Sequence, residues 1–241
     1  MTGHAAWRLE DELTFEVRPE SVRQLFAAFH PPEGVLSSGD LAFAYRGPRR
    51  SERLYCYLLD QESEVSRLVL DLRRPRASLS QKRRSPGTTD ERSRRLGDAE
   101  LDRFGASAVT AAFVKLKLLT RYSTLKGAEA FHVGFDLIIP VDRDWQLVPA
   151  SGFHHLEIES RQARWQSEEL AARFAPRVAR HLRPAASKPR LVRERLAAAS
   201  AYPPLPDARG LGELREELRR RLRKLSQEPP IRDFLSLGRA G

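Results

Sequence analysis

Three segments of this chain alternate apolar and charged residues with a period of two: AFVKLKLLTRY (112–122), AFHVGFDLII (130–139) and FHHLEIES (153–160). Successive side chains of a strand point to opposite faces, so such alternation fixes which residues share a face. Lys115, Lys117 and Arg121 fall together, opposite Val114, Leu116 and Leu118. His155, Glu157 and Glu159 oppose Leu156 and Ile158. His132 and Asp136 share the charged face of the middle segment. The segment LTFEVR (13–18) sets Thr14, Glu16 and Arg18 against Phe15 and Val17. Each of these strands therefore has one face for a core and one for charge.

Further strands are expected at 40–46, 53–60 and 66–73, the first two joined by a turn at GPRR, and a short one at 78–83. The last places Ser80, Lys82 and Arg84 together. Short connections favour antiparallel pairing. Pro19 opens a helix to His30 with Val22, Leu25, Phe26 and Phe29 on one side. Ser167 caps a second helix, and residues 188–199 make a third. Residues 74–97 carry many arginines and few large apolar residues, which predicts a stretch that is poorly ordered or extended from the core. A Pro-rich linker, YPPLPDARG (202–210), precedes an amphipathic helix at about 211–225. The expected organisation is one domain over 1–200 and a linker with helical appendage over 201–241. The fold class is α+β: an antiparallel sheet of about eight strands with flanking helices and a C-terminal amphipathic helix.

Composition narrows the partners. Lys and Arg outnumber Asp and Glu by 42 to 32, a formal net charge of +10, which favours polyanions. The single cysteine, Cys56, leaves no intramolecular disulfide and no Cys-based zinc site. There is no apolar run of the roughly 18 residues that a membrane-spanning helix needs, and the first residues lack a signal-peptide pattern. A cytoplasmic location is the expectation. Walker-type phosphate loops and G-x-S-x-G elbows are absent. A charged sheet face either lies in water on an open sheet or lines the inside of a curled one. In a curled sheet, Lys and Arg would clamp phosphates while carboxylates held magnesium or manganese.

The order of segments resembles the triphosphate-tunnel superfamily, the CYTH and VTC-type domains, across about residues 12–196, and the polyphosphate-synthesising VTC branch most. TFEVR stands in the place of the opening E-x-E-x-K strand, with Thr14 for the first acid. SLSQKRR keeps Lys82 but has Ser80 at the acidic place. KLKLLTRY, FHVGFDLII and HHLEIES follow the family order of a basic strand, a V-x-F-D strand and an L-E-I-E strand. SKPRLVRERLA is similar to the closing S-K-Y helix, with Pro189 for the tyrosine. The resemblance implies a tunnel-like antiparallel barrel. It implies phosphoryl hydrolysis or transfer on a triphosphate, nucleoside triphosphate or polyphosphate. Arg18, Lys82, Lys115, Lys117 and Arg121 would bind phosphates. Glu16, Glu157 and Glu159 would place Mg2+ or Mn2+, with Glu157 and Glu159 acting in catalysis. The alternative is an RNA-binding or RNA-processing protein of the small CRISPR ribonuclease kind, using the Arg-rich 74–95 surface on RNA phosphates.

Overall fold

A computed structural model describes residues 8–85, 88–161, 167–178, 182–196 and 202–238. The expectations for the first seven residues, for residues 86–87 of the 74–97 stretch and for the third helix beyond residue 196 fall outside the described residues.

The alternating segments form the strands that the periodicity predicts. The strands are β1 (Arg8–Glu10), β2 (Glu12–Val17), β3 (Val35–Ser38), β4 (Leu41–Asp60), β5 (Glu64–Asp71), β6 (Arg76–Ser85), β7 (Thr88–Leu96), β8 (Ala111–Thr124), β9 (Glu129–Val141), β10 (Phe153–Ser160) and β11 (Leu182–Pro184). They make one eleven-stranded sheet in the order β1-β7-β6-β5-β4-β8-β9-β10-β2-β11, with β3 on β4. The pairings of this path are antiparallel. The ladder ends at β1 and β11 and does not close by hydrogen bonds, yet the sheet curls. β2 and β5 are separated by four strands along the path, but Thr14, Arg67, Lys82 and Lys188 line one cavity of about 390 Å³.

Two expectations change. GPRR is no hairpin turn: β4 runs unbroken from Leu41 to Asp60, and both halves pair with β8. The register slips between Arg46 and Arg49, so Gly47-Pro48 forms a bulge where the proline needs no ladder hydrogen. Residues 74–97 are not extended from the core. They form the β6–β7 hairpin, with β6 paired to β5 from Arg76 to Arg83. Its order comes from backbone pairing and a polar network rather than apolar mass. Leu79 and Leu96 are its main buried apolar side chains.

The outer face of the curl carries the main core. Leu54, Cys56, Leu116, Phe135 and Leu156 face outward into it. The helices covering it are α1 (Val22–Phe29), the short α2 (Asp98–Leu101), α3 (Ser167–Val178), α5 (Ala208–Leu225) and α6 (Pro229–Leu237). The predicted α1 stripe of Val22, Leu25, Phe26 and Phe29 is buried. Phe26 meets Phe135 at 5.3 Å between ring centroids, and Phe29 meets Phe174 of α3 at 5.7 Å. Asp11 receives the backbone N–H of Ser167 at 2.9 Å, which satisfies one orphan donor at the start of α3. Leu211, Leu218 and Leu222 of α5, and Ile231 and Phe234 of α6, are buried in the same cluster as the sheet residues.

The inner face holds a smaller apolar cluster at one end: Tyr55, Tyr57, Phe113, Ile138 and Phe153, capped by Leu191 and Val192 of α4 (Lys188–Leu196). The helix α4 thus sits inside the curl. No described helix is long and apolar enough to cross a membrane.

Candidate anion site in the curled sheet

The registers put the charged alternates in rows across the inner face. One row runs Lys117, Asp136, His155, Glu16 across β8, β9, β10 and β2. The next runs Leu119, Gly134, Glu157, Thr14, and the third Arg121, His132, Glu159, Glu12. Lys115 lies one row to the other side, opposite Ile138.

Glu157 is the hub. It is 3% exposed. Lys117 donates to its Oε2, and Lys188, from the first turn of α4, donates to its Oε1. Lys115 Nζ lies 3.6 Å from Oε1 and 3.3 Å from Asp136 Oδ2. Burial works against the Glu157 carboxylate, but Lys115, Lys117 and Lys188 outweigh it and hold its pKa well below the ordinary value. For Lys115 and Lys117 burial likewise opposes the charge, and the facing carboxylates outweigh it and raise both pKa values. Asp136 is different. It is fully buried, and burial followed by repulsion from Glu157 lifts its pKa to about 6. Among the described residues neither of its oxygens has a hydrogen-bond partner, and neither ring nitrogen of the neighbouring His155 does. Burial, then Lys188, pushes His155 down to about 3.

Gly134 makes the hub possible. A Cβ there would stand 2.5 Å from Lys117 Cε and 2.9 Å from its Nζ. The lysine lies across the bare backbone to reach the next strand but one.

A second group adjoins on β5, β6 and β7. Arg67 donates to the Tyr57 hydroxyl at 3.1 Å, to Ser80 Oγ at 3.2 Å and to Glu91 at 3.1 Å. Lys82 lies 3.8 Å from Glu91. The Tyr55 ring lies between Lys115 and Arg67, at 5.1 Å and 5.2 Å. Burial would raise the Tyr55 pKa, but Lys115 and then Arg67 outweigh it and lower it, a sign of positive potential over this face. Thr14 and Ser80, which stand where the resemblance leads one to expect acids, each donate to a glutamate nearby. Thr14 reaches Glu12 at 3.1 Å, and Ser80 reaches Glu91 at 2.6 Å.

Of the residues expected from sequence, Lys115, Lys117 and Glu157 meet at the hub, and Lys82 lines the adjoining cavity. Glu159 lies one row away, bound to Arg161 at 2.7 Å and near His132. Arg121 is 48% exposed at that end of the sheet and lies 3.8 Å from Glu129. Glu16 pairs with Arg195 at 2.7 Å, and with Arg18 it lines a separate cleft of about 140 Å³. Lys188 and Arg67 were not among the expected site residues. The S-K start of the closing helix carried the signal for Lys188, and the shared parity of Arg67 and Asp71 carried a weaker one for Arg67.

The carboxylates do not gather as a metal site. Glu16, Glu157 and Glu159 answer to three different sets of cations. Among the described residues no three His, Cys, Asp or Glu side chains are placed to hold a metal ion. The set therefore does not fit Mg2+ or Mn2+.

No known family profile matches the chain. No curated protein matches it either. Solved structures do. A conserved hypothetical protein from Pyrococcus furiosus is 14% identical over 76% of this chain and 99% of its own, at a TM-score of 0.49. A Pyrococcus horikoshii protein is 15% identical over 73% of this chain and 96% of its own, at 0.45. A Hippeastrum protein with a dominant triphosphatase activity is 13% identical over 77% of this chain and 95% of its own, at 0.46.

Proposed function

We propose that the protein binds the phosphate chain of a triphosphate, nucleoside triphosphate or polyphosphate inside the curled sheet, and hydrolyses or transfers its terminal phosphoryl group. The observation that carries the binding is the convergence of Lys115, Lys117 and Lys188 on one buried carboxylate, beside a cavity lined by Arg67 and Lys82. Lysine ammonium groups are compact charges with three donors each, and the guanidinium of Arg67 presents a planar fork. Together they suit a linear anion with oxygens at regular spacing. The reaction class is the one that the resemblance in segment order implies. In it the lysines would neutralise charge that develops on the transferring group, in a setting from which water is largely excluded. Divalent metal would arrive as the counter-ion of the phosphates.

The test is calorimetric titration with tripolyphosphate beside a phosphate-release assay, with magnesium and manganese varied. Binding and release above the blank are expected, and Lys117→Ala should weaken binding about tenfold. Absence of binding to any oligophosphate would contradict the reading.

A second reading has its own observation. Arg73, Arg74, Arg76, Arg84 and Arg95 are exposed on or beside the β6–β7 hairpin, which suits RNA phosphates. Metal-independent cutting of structured RNA, with no phosphate release, would favour it over the first.

A further inference from the structure

We infer that Glu157 is a built-in counter-anion, holding the lysines of the curl in the free protein and competing with the incoming phosphate for them. This rests on the reading that phosphates bind in the curl.

Glu157 stands where an anion would. Both of its oxygens are taken, one by Lys117 and the other by Lys188, and Lys115 is 3.6 Å away. Three ammonium groups this close would repel one another and lose charge on burial without a counter-charge. Glu157 supplies it. Asp136 alone would not, because it contacts Lys115 at 3.3 Å but lies 4.0 Å from Lys188.

The contact is prepared by the fold. Gly134 leaves bare the patch of sheet that Lys117 crosses, and any Cβ there would collide with the lysine. Lys188 comes from a helix that returns to the inner face after the sheet is complete.

The adjoining cavity is lined by Lys188, Lys82 and Arg67, so of the three hub lysines Lys188 is the one that a phosphate in it meets. To gain the other lysines it must take donors from Glu157. Binding is then an exchange of anions. Its affinity is the difference between two sets of ion pairs, and Glu157 sets the threshold of anionic charge that a ligand must exceed.

The experiment is calorimetry with tripolyphosphate in chelator-treated buffer, on wild type, Glu157→Gln and Gly134→Ala. Glu157→Gln should tighten binding about tenfold, the order expected for removing one close competing charge. Gly134→Ala keeps every charge but displaces the end of the Lys117 side chain from its present path to Glu157, and should tighten binding by up to about threefold. If circular dichroism shows that Glu157→Gln does not fold, Gly134→Ala decides alone. Wild-type binding with unchanged or weaker binding in the folded variants overturns the counter-anion and leaves phosphate binding standing. Silence in wild type and in both variants overturns both. Binding by Glu157→Gln where wild type is silent supports the counter-anion in its strongest form.

Discussion

Lys117 and Lys188 hold opposite oxygens of the Glu157 carboxylate, one lysine from the middle of β8 and the other from the first turn of α4. The two are 71 residues apart in sequence, so this pair of contacts ties the closing helix to the centre of the sheet.

That tie predicts the behaviour of Lys188→Ala. It removes one donor to Glu157 and one cation of the adjoining cavity. Triphosphate affinity should fall about tenfold, with a smaller change in melting temperature because Lys115 and Lys117 still neutralise Glu157. Parallel calorimetry and thermal unfolding check this.

Stability should fall as the solution is acidified from pH 6.5 towards 4.5. His155 and His154 have folded-state pKa values of about 3 and about 4, below the ordinary 6.5, so the unfolded chain takes up their protons first. Their stabilisation is present above the unfolded value and is lost as pH falls towards the folded ones. Asp136 acts in the opposite sense. Its folded pKa, raised to about 6 from 3.8, means that its contribution grows as pH falls through that interval. His30, whose pKa burial also lowers, acts in the same sense, so three histidines against one aspartate leave a net loss of at least about one proton's slope, roughly 1.4 kcal/mol per pH unit. His155→Gln should flatten the profile by about that amount, measured by denaturant unfolding at several pH values.

The face of each main strand was legible from alternation alone. Lys115, Lys117, Asp136 and Glu157 share the inner face as their parity requires. Parity does not say where along the face a residue sits, however. Arg121 and Glu159 are therefore on the right side but at the open end, two rows beyond Lys117 and Asp136. Lys188 was legible only through the S-K start of its helix, because alternation along strands does not say how a helix returns over the sheet. The β6–β7 hairpin was legible only in the short strand expected at 78–83, inside β6, and β7 was missed for another reason. Leu96 is the one large apolar residue of β7, so no apolar stripe marked that strand, and its order comes from β6, which is in turn paired to β5.

The polar network beneath that hairpin should be measurable. Glu91 receives Arg67 at 3.1 Å and Ser80 at 2.6 Å. Glu91→Gln weakens the charged part of this network and leaves Arg67 short of a counter-charge. Amide exchange across Arg76–Leu96 should rise several-fold, with β9 and β10 unchanged.

The C-terminal helices should behave as part of the main core. Leu218 of α5 is fully buried in the cluster that includes Leu116 and Phe135. Leu218→Ala should cost about 2–5 kcal/mol and lower a single unfolding transition rather than split it in two.

Central to this account is the claim that an oligophosphate sits on the inner lysines. The direct measurement is calorimetric titration of tripolyphosphate into wild type and into the Lys115→Ala, Lys117→Ala and Lys188→Ala variants, each shown to be folded. Wild type should bind, each variant should lose about tenfold in affinity, and the affinity should fall steeply with salt. Equal binding by all four proteins, or none by any, would contradict it.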